Sequence, residues 1–195
     1  AHEGGGRAMK RGRYGDHRGD YGRDDGHDDF GSLAQLVVHV GERPDDQLEA
    51  QVEGLARALL VAGDRARPRA ADLLAECVRC LPHKAPVYAA VVGLINAQDP
   101  DLGGRLVTRA FDSLQGALTA GNLPGAAAAL WWLADASALG AARADAVLGV
   151  LEDLVDAALG GAPAPWTVGR QLRADAYVEV ACTALPFAGG PAVGA

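Results

Sequence analysis

The sequence has little cysteine, few aromatic residues and no long apolar run. Three cysteines in 195 residues, an odd number, argue against a disulfide framework and for a reducing compartment. No apolar run reaches the roughly 18 residues that a membrane span needs. No stretch combines a charged start, an apolar block and a small-residue cleavage site. We therefore expect neither a membrane span nor a secretory leader.

Motifs of catalysis are missing as well. Gly103-Gly104 does not predict a phosphate-binding loop, because no strand precedes it and no Lys-Ser or Lys-Thr follows. No nucleophile-elbow pattern occurs, and beyond residue 30 the histidines are His39 and His83. We expect no enzyme activity, no cofactor and no metal ion.

The composition that remains favours an acidic folded domain. Apolar residues make up 49% of the chain and aromatic residues 5%, so the core must be built from alanine, leucine and valine. The 18 basic and 25 acidic residues give a net charge of −7. Such a chain is a poor general binder of nucleic acid, because non-specific affinity comes mainly from cationic surface.

The first 30 residues differ from the rest. They contain eight glycines and almost nothing apolar, so we expect a disordered tail over residues 1–30. Residues 1–23 carry six basic and three acidic groups, a net of +3, whereas the 165 residues after residue 30 have a net charge of −6. We expect a folded domain over residues 31–188, and assign residues 189–195 to a C-terminal tail or to the end of a fragment.

From residue 31 onward the apolar residues recur with the period of a helix. Eight such stripes follow one another, and the fourth, over 87–95, is apolar on more than one face and should be central. Ser32 (with Gln35 three residues later) and Asp101 are predicted helix caps, and Asn122 with Pro124 is predicted to begin another helix. Alternate helix starts fall near residues 32, 68, 101 and 141, a spacing of about 33–40 residues.

This spacing predicts an all-α fold. We expect an α-α superhelix of four antiparallel helical hairpins, a solenoid of the HEAT or armadillo kind. In such arrays each hairpin buries one face on its neighbours and leaves an extended surface for partners.

Two overlapping patterns in the tail predict function. A short basic motif typical of nuclear-import signals is formed by Lys10, Arg11 and Arg13. Arginine and tyrosine also alternate with glycine, a pattern in which these side chains can stack on unpaired bases, at Arg11, Tyr14, Arg18 and Tyr21. The alternative for the basic motif is a charged linker, and the interspersed Asp16 and Asp20 weaken the RNA-contact pattern.

Two groups of residues could in principle hold a metal ion. Cys77, Cys80 and His83 have a C-x-x-C spacing with a third ligand, but a structural zinc site needs four ligands. Small core residues are the better interpretation, and the competing zinc hypothesis predicts stoichiometric metal. The acidic run at residues 24–29 lies in the glycine-rich tail, where a solvated run is expected.

The tryptophans are candidate partner contacts. Trp131 and Trp132 are adjacent, so on a helix they point about 100° apart and cannot both face one core. We expect one of them to be buried and the other to lie at a repeat junction or on the surface. Trp166 follows Pro165 in a predicted loop and could either pack or bind a partner.

Several short runs in the helical region resemble one known family. They include LPHK at 81–84, VYAAVVGLINA at 87–97 and LGG at 102–104. Shorter ones are VGE at 40–42, LE at 48–49, VEGLA at 52–56, LAD at 133–135 and ALPF at 184–187. Together they resemble the first helical domain of the large subunit of the nuclear cap-binding complex, over roughly residues 36–188.

The resemblance implies a non-enzymatic scaffold. In this family the large subunit is nuclear and pairs with a small subunit whose RNA-recognition motif holds the mRNA cap. The resemblance therefore implies indirect contact with capped RNA, an import receptor as partner of Lys10, Arg11 and Arg13, shuttling to the cytoplasm, and recruitment of splicing, export and nonsense-mediated decay factors. The resemblance implies no membrane among the partners. The alternative is a general HEAT- or armadillo-type adaptor in translation or transport, unconnected with the cap.

Overall fold

The computed structural model describes residues 25–42, 47–159 and 167–188, with side chains from residue 30 onward. All regular elements in these segments are helical, which confirms the predicted all-α class. A single-turn 3-10 helix, Pro82–Lys84, connects the third helix to the fourth. The α-helices in chain order are α1 Asp25–His39, α2 Leu48–Val61, α3 Ala66–Cys80, α4 Ala85–Gln98, α5 Pro100–Thr119, α6 Leu123–Ala138, α7 Ala144–Leu159 and α8 Val168–Ala188.

The helices pack as successive hairpins in two layers. The even-numbered helices form one layer, in which α2 packs on α4, α4 on α6 and α6 on α8. In the other layer α1 packs on α3 and α3 on α5, while α7 packs on α6 and α8. This arrangement agrees with the predicted superhelix of helical hairpins.

The even layer contains the two most deeply buried helices. In α4, Tyr88, Val91, Val92 and Ile95 are all fully buried, which confirms the central position predicted from its apolar faces. Helix α6 is equally enclosed, although its sequence is dominated by alanine. Because alanine side chains are short, they let α3, α4, α5 and α8 approach the α6 backbone closely, and the large Trp132 ring fills the remaining space.

Capping residues and proline set where two of the helices begin. Helix α6 begins directly after Asn122, as predicted, and Asn122 caps it, since its side-chain oxygen accepts a hydrogen bond from the Gly125 amide at 3.1 Å. The predicted cap of α5 is wrong: Asp99, not Asp101, accepts a hydrogen bond from the Leu102 amide at 2.9 Å. Pro100 explains the shift, because proline has no amide hydrogen to satisfy and fits the first helical position.

The start of α1 also differs from the prediction. Ser32 is not a cap, because α1 begins at Asp25 and passes through Ser32 without interruption. The helix therefore overlaps the last six residues of the segment assigned to the tail. Packing on α3 accounts for the longer helix: Leu33 is buried, and the guanidinium carbon of Arg69 lies 3.9 Å from the centre of the Phe30 ring.

Two helices end in the same glycine-dependent way. Gly121 and Gly140 have positive φ angles of 69° and 73°, a conformation that glycine adopts without strain. In both cases the amides of the glycine and of the next residue donate to carbonyls of the last helical turn, as in a Schellman motif.

Candidate interaction surfaces

The residues of the VGE, LPHK and VYAA runs meet at the junction of α1, α3 and α4. Lys84 is buried, and its Nζ donates hydrogen bonds to the Val38 carbonyl at 2.7 Å and to Glu42 Oε1 at 2.9 Å. On the other side of the carboxylate, His39 Nδ1 lies 2.6 Å from Glu42 Oε2. Hydrogen bonds from His39 and then from Lys84 hold the pKa of Glu42 at about 2, below its ordinary value of 4.5.

A second buried polar group strengthens the same junction. The Tyr88 hydroxyl donates a hydrogen bond to the Val37 carbonyl at 3.1 Å, and burial raises the pKa of this phenol. Because every charged or polar group named here is paired with another part of the protein, the junction holds α1 against α4. Residues that carry the family resemblance therefore have a structural role at this place.

The two cysteines of the C-x-x-C pair lie in different environments. Cys77 is buried, and its burial raises the pKa of the thiol, whereas Cys80 is exposed and its Sγ donates to Glu76 Oε1 at 3.3 Å. In the described segments, no cluster of three or more His, Cys, Asp or Glu side chains could hold a metal ion.

The two adjacent tryptophans are separated as predicted. Trp132 is 0% exposed, so it offers no surface to a partner, and this part of the partner hypothesis is wrong. Trp131 is half-buried, and its ring stacks on Phe187 of α8 with a centroid distance of 5.1 Å and an interplanar angle of 28°. Phe187 is 38% exposed, so the pair reaches the surface.

Two buried polar atoms without hydrogen-bond partners belong to Trp131 and to Asp135. Trp131 and Asp135 are one turn apart on α6, and both Trp131 Nε1 and Asp135 Oδ2 are buried without a hydrogen-bond partner. Burial raises the pKa of the Asp135 carboxyl. Phe187 and Asp135 were not identified from the sequence as candidate site residues, because only the packing of α8 on α6 brings them to Trp131.

The last hairpin exposes more apolar surface than the others. Apart from Phe187, the exposed large apolar residues of α7 and α8 are Leu148, Val155, Leu159, Val168, Leu172, Val178 and Leu185. Large exposed apolar patches on soluble domains commonly mark sites of protein contact. Together with the Trp131–Phe187 pair, they make this hairpin the strongest candidate surface for a protein partner.

The remaining candidates from the sequence lie outside the described residues. They are the import residues Lys10, Arg11 and Arg13, the possible RNA contacts Tyr14, Arg18 and Tyr21 together with Arg11, and Trp166. None of the helices in the described part of the chain has the length and hydropathy to cross a membrane.

Comparison with known proteins gives two informative similarities. The chain is 29% identical over 157 residues to "Nuclear cap-binding protein subunit 1" of Aedes aegypti. It is 30% identical over 158 residues to the protein of the same name from Anopheles gambiae. Each match covers 80% of this chain but 19% of the relative, so the chain spans about a fifth of the length of these proteins. No protein-family model matches the chain.

Proposed function

Because the chain is related to nuclear cap-binding protein subunit 1 over 80% of its length, we propose that it is a non-enzymatic scaffold domain of the large subunit of a nuclear cap-binding complex. The single observation that carries the proposal is this similarity. In this proposal the chain forms one domain of the large subunit.

The fold suits a role in display rather than in catalysis. Stacked hairpins hold exposed side chains in fixed positions over a long surface, which is how helical solenoids bind partners. The junction of Glu42, Lys84 and Tyr88 fixes the first hairpin on the second, and the deeply buried α4 and α6 support the rest. A rigid framework of this kind binds with little loss of conformational entropy.

The charge distribution fits a division of labour between two subunits. The part of the chain after residue 30 has a net charge of −6, which opposes direct binding to an RNA backbone. We therefore assign cap recognition to a small subunit with an RNA-recognition motif, and to this chain the support of that subunit. Recruitment of mRNA processing, export and decay factors is assigned to the surface of the last hairpin, centred on the Trp131–Phe187 pair.

The basic tail completes the proposal. Lys10, Arg11 and Arg13 would be bound by an import receptor, which accounts for a nuclear location with shuttling to the cytoplasm. Arg11, Tyr14, Arg18 and Tyr21 would contact RNA by stacking on unpaired bases. Ultraviolet crosslinking to a labelled single-stranded RNA tests this contact, and replacement of the two tyrosines with alanine should abolish the crosslink.

The decisive experiment is capture on an immobilised cap analogue. The protein is expressed from its complete reading frame and applied to the resin with and without the small subunit. We expect capture only when the small subunit is present, and release by free methylated cap analogue but not by unmethylated guanosine triphosphate. Failure to be captured even with the small subunit would overturn the proposal and favour an adaptor unconnected with the cap.

A further inference from the structure

A groove of about 500 Å³ lies between the first halves of α3 and α5. Three arginines line it, Arg67 on α3 and Arg105 and Arg109 on α5. Apolar side chains between them, including Leu102 and Leu106, give the groove an apolar part. No local pattern in the sequence indicates this groove, because residues of α3 and α5 are brought together only by the packing of the odd layer.

The groove concentrates positive charge in an acidic domain. Twelve basic residues follow residue 30, and five of them lie at the start of α3 or on α5. Besides the three in the groove, these are Arg65 and Arg69, both exposed. The first turn of α3 contains no acidic residue and no side chain caps it, so its positive dipole end adds to the same potential.

The three arginines differ in how many hydrogen bonds and ion pairs they already make. Arg105 is exposed and makes no hydrogen bond or ion pair with the described residues. Arg67 donates one hydrogen bond to the Leu60 carbonyl at 2.7 Å, while its buried Nε has no partner. Arg109 neutralises the acidic side of the groove, since its Nε lies 2.5 Å from Asp72 Oδ1.

Two guanidinium groups therefore have free donors around an apolar floor. Asp64 is the remaining acidic side chain of the lining, and Asp112 stands 3.8 Å from Arg109 outside it, so the groove can accept few negative charges. A polynucleotide carries a negative charge on every nucleotide, and the net negative charge of the rest of the domain would repel it. A short peptide brings few charges and supplies an apolar side chain as well.

We propose that the groove between α3 and α5 is a binding site for a short acidic peptide segment of a partner protein. Carboxylates of the peptide bind Arg67 and Arg105, and an apolar side chain between them packs on Leu102 and Leu106. Arginine is suited to this role because its planar group donates paired hydrogen bonds to a carboxylate. The inference does not depend on the function proposed above.

The test uses the full chain of 195 residues and a short fluorescein-labelled peptide in which glutamate and leucine alternate, followed by fluorescence anisotropy. We expect binding that weakens as salt is raised, and about tenfold weaker binding to Arg105→Glu, as expected for the loss of a charged hydrogen-bonded pair. Arg105→Gln should weaken binding less. The same peptide with glutamine in place of glutamate should not bind.

Arg57→Glu on α2 is the matched control, since it makes the same charge change on an exposed arginine outside the groove. Its affinity for the peptide should stay within about twofold of the unmodified chain, whereas a general electrostatic effect would weaken both variants alike. Equal binding to Arg105→Glu and to the unmodified chain would overturn the proposal. Binding of labelled oligouridylate through Arg105, without binding of the peptide, would also overturn it.

Discussion

Two neighbouring glycines on α5 allow a sharp test of how closely α4 and α5 pack. A Cβ atom added at Gly103 would lie 2.6 Å from Asn96 Oδ1, 2.7 Å from Asn96 Cβ and 2.8 Å from Asn96 Cα. The last of these is backbone, so a change of rotamer cannot relieve the overlap. At Gly104 the added atom would meet nothing within 4 Å.

The expected magnitudes follow from two opposing effects. Replacing a helical glycine with alanine gains about 1 kcal/mol of helix propensity at either position. At Gly103 the overlap with α4 costs about 1–3 kcal/mol, the usual range for an overpacked core. Movement of Asn96 would also disturb its hydrogen bond to the Gly140 carbonyl at 3.2 Å, which ties α4 to the end of α6.

Gly104→Ala should therefore be about 1 kcal/mol more stable than the unmodified chain, whereas Gly103→Ala should range from unchanged to about 2 kcal/mol less stable. Because the propensity gain is common to both, the difference between the variants isolates the steric cost, about 1–3 kcal/mol. Urea unfolding followed by circular dichroism measures the free energy of unfolding of each. In thermal melts, each 1 kcal/mol corresponds to about 2–4 °C for a domain of this size. If Gly103→Ala proved as stable as Gly104→Ala, the close approach of α4 and α5 would be refuted.

Four other predictions concern the junction, the aromatic pair and the tail. Lys84→Met should lower the free energy of unfolding by about 1–3 kcal/mol, because it leaves the Val38 carbonyl and Glu42 without their donor. The conservative Lys84→Arg should lower it by less. Equal losses of stability in the two variants would contradict the role of the positive charge and its donors. The folded pKa of Glu42 lies below its ordinary 4.5, so its stabilisation is complete above that pH and is lost as the pH falls toward 2. Glu42→Gln should accordingly be less stable than the unmodified chain at about pH 6, and urea titrations should show this difference shrinking in acid, whereas a constant difference would argue against the two hydrogen bonds. Phe187→Ala should expose Trp131 and shift tryptophan emission to the red, an effect that Leu148→Ala should not produce. Alanine at the three basic residues of the import motif should leave a fluorescent fusion of the protein in the cytoplasm, and unchanged nuclear signal would refute that assignment.

Local signals in the sequence were sufficient for much of the fold. The helical period and the start of α6 next to Asn122 each depend on neighbouring residues, and both were predicted. The cap of α5 was predictable too: Pro100 fits the first helical position, which makes the preceding Asp99 the cap. The prediction of Asp101 as the cap is wrong because Pro100 takes the first helical position and places Asp101 inside the helix.

Contacts between distant residues were the part that the sequence could not supply. The buried Lys84 finds its acceptors in Val38 and Glu42, more than forty residues earlier, and no local pattern distinguishes it from an exposed lysine. The start of α1 depends on Phe30 packing against Arg69, and the groove of arginines depends on α3 lying beside α5. Side-chain patterns predicted which faces are buried, but not which helix covers each face.

The position of α6 has a consequence for how the chain unfolds. In an ideal solenoid each repeat touches only its neighbours, so that repeats can open one at a time from either end. Helix α6 contacts α3, α4, α5, α7 and α8, and thereby joins the second, third and fourth hairpins. Since α6 is enclosed by both adjacent hairpins, opening either of them exposes its buried apolar residues, and this couples the unfolding of the hairpins from α3 to α8. In native-state hydrogen exchange, amides in the middle of α6 should exchange only through global unfolding, while those of α2 open at lower cost.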